Sequence, residues 1–170
     1  MLKKRILKNT KKGVVIKMKK DVLISIKGTI KADGVEPDVI ELLTAGRYYN
    51  KDGNYYISYK ESEATGYEGV TTTLKVDGES SVTLIRNGSI NSRLFLEKGR
   101  RHLSQYDTGY GQLMVGVSGC RIKSQLDDLG GELSFFYTLD INSSMVSENE
   151  VYISVKEANN KDAQLNKYGN

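Results

Sequence analysis

Glycine closes one short segment after another from Asp21 to about Glu157. The turns run KDGN (Lys51–Asn54), VDGE (Val76–Glu79), RNGS (Arg86–Ser89), EKGR (Glu97–Arg100), DTGYG (Asp107–Gly111), VSG (Val117–Gly119) and LDDLGGE (Leu126–Glu132). Asp-Gly and Asn-Gly supply the positive φ angles that tight hairpins need. The runs between them alternate apolar and polar residues. In Asp21–Lys31, Val22, Ile24, Ile26, Gly28 and Ile30 share one face, with Ser25, Lys27, Thr29 and Lys31 on the other. That period of two belongs to a half-buried strand. Short strands at this spacing make an antiparallel meander, and closure into a barrel removes its free edges. The pattern predicts an all-β, single-domain antiparallel barrel of about eight to ten strands.

Further strands are expected over Val39–Tyr49, Tyr55–Lys60, Val70–Val76, Ser81–Arg86, Ile90–Glu97, Arg101–Tyr106, Gln112–Val117, Arg121–Leu126, Glu132–Ile141 and Glu150–Lys156. Pro37 falls in a loop, where its missing N–H does no harm. Helix is confined to a short turn near Val35–Val39 or within Glu61–Gly66. The stretch Glu61–Gly69 is too long for a tight hairpin and reads as a bulge, a corner or a lid over one barrel mouth.

At 170 residues the chain is large enough to bury a core without staples. Its one cysteine, Cys120, cannot form an internal disulfide, and one histidine leaves no Cys/His cluster for zinc. No cofactor is expected. A lone cysteine suits a reducing compartment. No apolar run approaches the ~20 residues of a membrane-spanning helix, so a cytoplasmic location without a membrane partner is expected. The basic balance is local. Residues 1–20 hold nine Lys and Arg and no acid, while the other 16 basic residues face 21 acidic ones, a net charge of −5. Nucleic-acid affinity would have to come from that arm. The expected organisation is a basic extension over 1–17, a barrel domain over 18–157 and a flexible Asn- and Lys-rich tail over 158–170. Two readings stay open for the extension: a real basic arm, or sequence preceding a start at Met18.

Three stretches resemble a known family: YYISYKESEATGYEGVTTTLKV (Tyr55–Val76), VTLIRNGSINSRLFLEKGRRHLSQYDTGYG (Val82–Gly111) and GGELSFFYTLDIN (Gly130–Asn142). They are similar to the YwiB-like bacterial proteins, and the similarity runs from about Met18 to Lys156. Its most specific pieces are Glu61-Ser-Glu-x-Thr-Gly with the following Thr71-Thr72-Thr73, and His102-Leu-Ser-x-Tyr106-Asp-Thr. The resemblance implies a calycin-like, lipocalin-like barrel in a bacterial cytoplasm, and it implies no activity. Met1–Lys17 departs from the family pattern, which favours a start at Met18.

No nucleophile–base spacing, phosphate loop or metal motif is present. Glu61, Glu63 and Glu68 form the densest acid cluster, which reads either as an acid/base pair or as a solvated loop. Parity places Glu61 on the inward row with Tyr55, Ile57 and Tyr59 unless a bulge intervenes. His102, the lone histidine, and Cys120, beside Arg121, are read as structural ahead of reactive. Arg86 shares the parity of Val82 and Leu84. Ile85 competes for the inward side, and Arg86 reads first as a snorkelling arginine at a strand end; if it points inward, its guanidinium needs Glu61 or a bound anion as partner. Val22, Ile24, Ile26, Leu74, Leu94, Leu133, Phe135 and Tyr137 complete the inferred interior. Thr72 and Ser92 are small and polar, and Gly28 leaves a gap beside them.

Tyr59, Glu61, Thr72, Arg86 and Ser92 are therefore the candidate ligand-binding residues, at a mouth covered by Glu61–Gly69; the other reading is an interior simply filled by its own side chains. The leading reading is a non-enzymatic binding module for a small apolar or amphipathic ligand, since barrels of this size can enclose one. The alternative is a protein- or RNA-interaction module using outer strands or the basic arm. A hydrolase using the Glu61–Glu68 segment comes third. Oligomeric state is not legible in the sequence.

Overall fold

The computed structural model describes residues 19–158, the side chain of Cys120 excepted. The expectations for Met1–Lys17 and for the tail beyond Ala158 lie outside the described residues. The strands are β1 (Lys20–Lys31), β2 (Asp38–Lys51), β3 (Asn54–Lys60), β4 (Val70–Asp77), β5 (Ser81–Gly88), β6 (Ser92–Glu97), β7 (Arg101–Asp107), β8 (Gln112–Asp127), β9 (Gly130–Ile141) and β10 (Ser144–Glu157). One 3-10 turn, Glu63–Thr65, sits between β3 and β4, inside the stretch where a short helical turn is expected.

The ten strands make one antiparallel sheet in the order β6-β5-β4-β3-β2-β1-β10-β9-β8-β7. Chain neighbours pair everywhere except at β6 and β7, and β1 pairs with β10 from Val22↔Glu157 to Lys31↔Glu148. The first and last strands thus close the ring. Only β6 and β7 share no ladder among the described residues. They meet at their hairpin end, where the Arg100 N–H donates to the Glu97 carbonyl at 3.1 Å. At the far end of this seam the Asn91 N–H reaches Asp107 Oδ2 at 3.4 Å.

β8 secures the hairpin end. The Gly99 N–H donates to the Gly119 carbonyl at 2.8 Å, and the Gly119 N–H to the Arg100 carbonyl at 3.3 Å. This corrects the expectation at VSG. Val117–Gly119 is no turn: β8 runs through it as one 16-residue strand, with a bulge between Gly119 and Arg121. A Cβ at Gly119 would stand 2.6 Å from the Glu97 carbonyl oxygen. The glycine is required for close approach of two backbones, a second reason for glycine that sequence alone does not separate from a turn.

A hairpin also appears where none is expected. β10 begins at Ser144, not Glu150, after a turn in which Asn142 and Ser143 have φ of 50° and 67°. Two positive φ angles in succession match the twist of flanking strands, and here no glycine marks them.

The inferred interior is the interior observed. Val22, Ile24, Ile57, Leu74, Leu94, Leu133 and Phe135 are buried, and Ile26, Tyr55 and Tyr59 pack against them. One end of the barrel is plugged. The Tyr48 and Tyr55 rings stack at 5.3 Å, and their hydroxyls donate to the Asp127 carbonyl at 2.7 Å and to Asp128 Oδ1 at 2.9 Å. Burial pushes the Tyr48 hydroxyl far above its ordinary pKa, with Tyr55 and the two aspartates adding to the effect. The other end holds the candidate site.

Candidate functional site

Strand register builds the site. Tyr59 faces Thr72, Thr72 faces Arg86 and Arg86 faces Ser92, one transverse row across β3, β4, β5 and β6. Residues directly opposite on one face have Cβ atoms about 4.5–5.5 Å apart, so the four side chains stand side by side on the inner wall. Glu61 follows two residues after Tyr59 and keeps its parity. Its N–H donates to the Val70 carbonyl at 2.8 Å, which extends the β3–β4 pairing by one step and keeps the carboxylate inside.

Above the core lies a cavity of about 130 Å³. Its lower wall is apolar, from Ile26, Leu42, Leu84, Phe135, Val151 and Ile153. Its upper wall is polar, from Tyr59, Glu61, Thr65, Tyr67, Arg86, Tyr137 and Asn149. Gly28 forms part of the boundary, and a Cβ built there meets no atom within 4 Å. Thr65 and Tyr67 belong to the Glu61–Gly69 segment, so that segment covers the mouth.

Glu61 is buried, and both its oxygens are held by hydroxyls. Thr72 Oγ1 donates to Oε1 at 2.6 Å, and Thr65 Oγ1 donates to Oε2 at 2.7 Å. One donor comes from the barrel wall and one from the cover. Arg86 points inward. Its guanidinium lies over the Tyr67 ring at 4.3 Å, a cation–π contact. Tyr67 in turn shares a hydroxyl hydrogen bond with Tyr106 at 3.2 Å. Among the described residues Arg86 forms no ion pair, and its Nε is buried without a hydrogen-bond partner.

The electrostatics follow from this arrangement. Burial raises the Tyr59 hydroxyl, Glu61 adds to the shift, and Arg86 opposes it. Burial also pushes Tyr106 up to about 12, helped by its bond to Tyr67 and opposed by Arg86. Tyr137 is raised by burial against the same Arg86 charge. One guanidinium therefore acts on a group of buried phenols, none of which supplies a negative charge at neutral pH.

Of the five candidate residues, Tyr59, Glu61 and Arg86 line the cavity. Thr72 is fully buried in the wall and orients Glu61. It is not an unfilled recess, as its small size suggests in the sequence. Ser92 is buried on the row and borders the groove along the β6–β7 seam, which Arg86 also lines, rather than the cavity. Glu63 and Glu68 are exposed, so no second carboxylate from that segment joins Glu61. His102 belongs to the seam. Its Nε2 lies 2.6 Å from Glu97 Oε2, and its ring stands edge-on to Phe95 at 4.9 Å. The side chain of Cys120 lies outside the described residues. No group of three metal-ligating side chains occurs among the described residues, nor does a helix long and apolar enough to cross a membrane.

Asn149 and Tyr67 are site residues that the sequence reading missed. Asn149 is buried, two positions before Val151 on the inward row of β10. A polar residue at an inward position is the signal, hidden because that strand starts earlier than the sequence suggests. Tyr67 lies in an irregular segment where parity says nothing.

The fold has relatives. The chain is 30% identical over 126 residues to the uncharacterized beta-barrel protein YwiB of Bacillus subtilis (strain 168), covering 74% of this chain and 86% of that protein. The crystal structure of the ywiB protein from Bacillus subtilis superposes with a TM-score of 0.72 at 26% identity, covering 85% of this chain and 96% of the other. The family model described as a domain of unknown function, DUF1934, matches residues 24–153. On that match the chain belongs to the DUF1934 family.

Proposed function

We propose that this protein is a binding module for a small amphipathic ligand, with an anionic group on Arg86 and an apolar body in the cavity beneath. The observation that carries this reading is Arg86 itself: a guanidinium lining the cavity, stacked on Tyr67, with no carboxylate paired to it among the described residues. Arg86 is half-buried, but its Nε is buried with no hydrogen-bond partner among the described residues; a buried donor left unpaired is costly, and a bound anion would satisfy it. An apolar pocket with a few convergent polar groups is the usual form of a small-ligand site. At about 130 Å³ the cavity is close to one that admits benzene, which sets the size of the apolar body. The interaction-module and hydrolase readings gain no comparable observation.

Native mass spectrometry of the full chain purified from its source cells tests the proposal. A low-mass adduct that unfolding releases is expected, absent from Gly28→Leu, whose side chain would occupy the cavity. An adduct retained by Gly28→Leu, or none in either protein, would overturn the reading.

A further inference from the structure

The two charged groups of the cavity identify the ligand more closely. Glu61 and Arg86 line the same small space, yet no ion pair joins them among the described residues. A carboxylate and a guanidinium lining one partly enclosed pocket attract each other. Here that attraction does not draw them into direct contact. Thr72, directly between β3 and Arg86 in the cross-strand row, holds one Glu61 oxygen. Thr65 holds the other from the opposite side, and Arg86 lies against Tyr67. The Tyr59 hydroxyl feels both charges, one raising its pKa and the other lowering it. The pocket thus presents one negative and one positive group, each fixed by its own neighbours and each with bonding capacity left. A carboxylate offers about four acceptor positions, of which the Thr65, Thr72 and Tyr59 hydroxyls take three, and the Arg86 Nε–H has no acceptor among the described residues.

A ligand with only an anionic group would satisfy Arg86 and be opposed by Glu61. A ligand with only a cationic group would meet the reverse. A ligand bearing both charges complements both. We propose that the cavity binds a free α-amino acid with a branched aliphatic side chain, its carboxylate on Arg86 and its ammonium on Glu61. The side chain lies against Ile26, Leu84 and Phe135. This rests on the ligand-barrel reading above and assigns the chemical class of its ligand.

Isothermal titration of the full chain with three probes tests it: leucine, 4-methylpentanoate, which lacks the ammonium, and 3-methylbutylamine, which lacks the carboxylate. Leucine should bind at least about tenfold tighter than either analogue, because a site built for a polar group rejects ligands that leave it unpaired. In Glu61→Gln the preference for leucine over 4-methylpentanoate should disappear while the acid still binds. If the unaltered chain binds the acid as tightly as leucine, the zwitterion assignment falls and the amphipathic-anion reading stands. If none of the three gives a saturable heat, the amino-acid assignment is overturned, and the mass-spectrometric test decides the wider reading separately. The comparison among probes uses the unaltered chain, so it holds even if Glu61→Gln fails to fold.

Discussion

Thr72 and Gly28 look alike in the sequence, two small residues on inward positions, and the structure gives them opposite roles. Thr72 has no exposed surface and spends its hydroxyl on Glu61. Gly28 faces open space beside the same cavity. Thr72→Leu should therefore cost at least the roughly 1–3 kcal/mol of a buried acceptor losing its donor, with overpacking added. Gly28→Leu should be neutral or stabilising, because glycine within a strand costs about 0.5–1 kcal/mol relative to alanine and the new side chain enters empty space. Paired urea denaturation curves check this; equal destabilisation by both would show the space beside Gly28 to be packed. The inward parity of Glu61 was legible because it follows a strand of clean alternation; that of Arg86 was not, because Leu84 and Ile85 stand side by side before it and compete for the inward face. Whether a small inward residue marks a hole or a wall was not legible either. That depends on what the opposite wall contributes, and period-two patterning says nothing about it.

Among the elements, the strands on either side of Asp-Gly and Asn-Gly turns were legible to within a residue or two. Tight turns fix both ends of a pairing and so its register. The errors lie where a glycine does something other than turn, and where a turn does without one. At Gly119 the backbone of β8 approaches Glu97 too closely for any side chain. At Asn142-Ser143 two ordinary residues take positive φ, which Asn tolerates better than most residues. Gly119→Ala should shift the strands that meet there and cost roughly 1–3 kcal/mol, as overpacked sites do. A thermal melt checks this, and an unchanged melting temperature would show that β8 does not hold the β6–β7 hairpin in place. The cover segment was the least legible element. Tyr67 is placed by contacts to Arg86 and to Tyr106, 39 positions away in the chain, and no local pattern encodes them.

For the whole molecule, the buried tyrosines at both ends of the barrel set its behaviour in alkali. An exposed phenol ionises near pH 10. Burial holds Tyr106 at about 12 and raises Tyr59 and Tyr137 as well. Below pH 10 these groups are protonated whether the chain is folded or not, and their contribution is complete. Above it the unfolded chain gives up protons that the folded chain keeps, so stability falls as pH rises toward about 12. Denaturation midpoints measured from pH 9 upward should decline, and Tyr106→Phe should flatten the decline; an identical slope in that variant would contradict the assignment. The closure of β1 on β10 bears on synthesis. Lys20 and Glu157, joined by an ion pair in the finished ring, are 137 positions apart in the chain. Every other ladder joins chain neighbours and can form as the polypeptide emerges; this one must wait for nearly the whole domain to leave the ribosome. Loop closure over such a span also slows folding. A circular permutant joining Glu157 to Lys20 and opened at Lys98–Gly99 turns this pairing into a local hairpin and should refold faster in stopped-flow experiments. In the natural order, β1 spends that interval as a bare edge of alternating valine and isoleucine, a template for the strands of neighbouring nascent copies. The interval before closure is therefore when the chain most needs a chaperone.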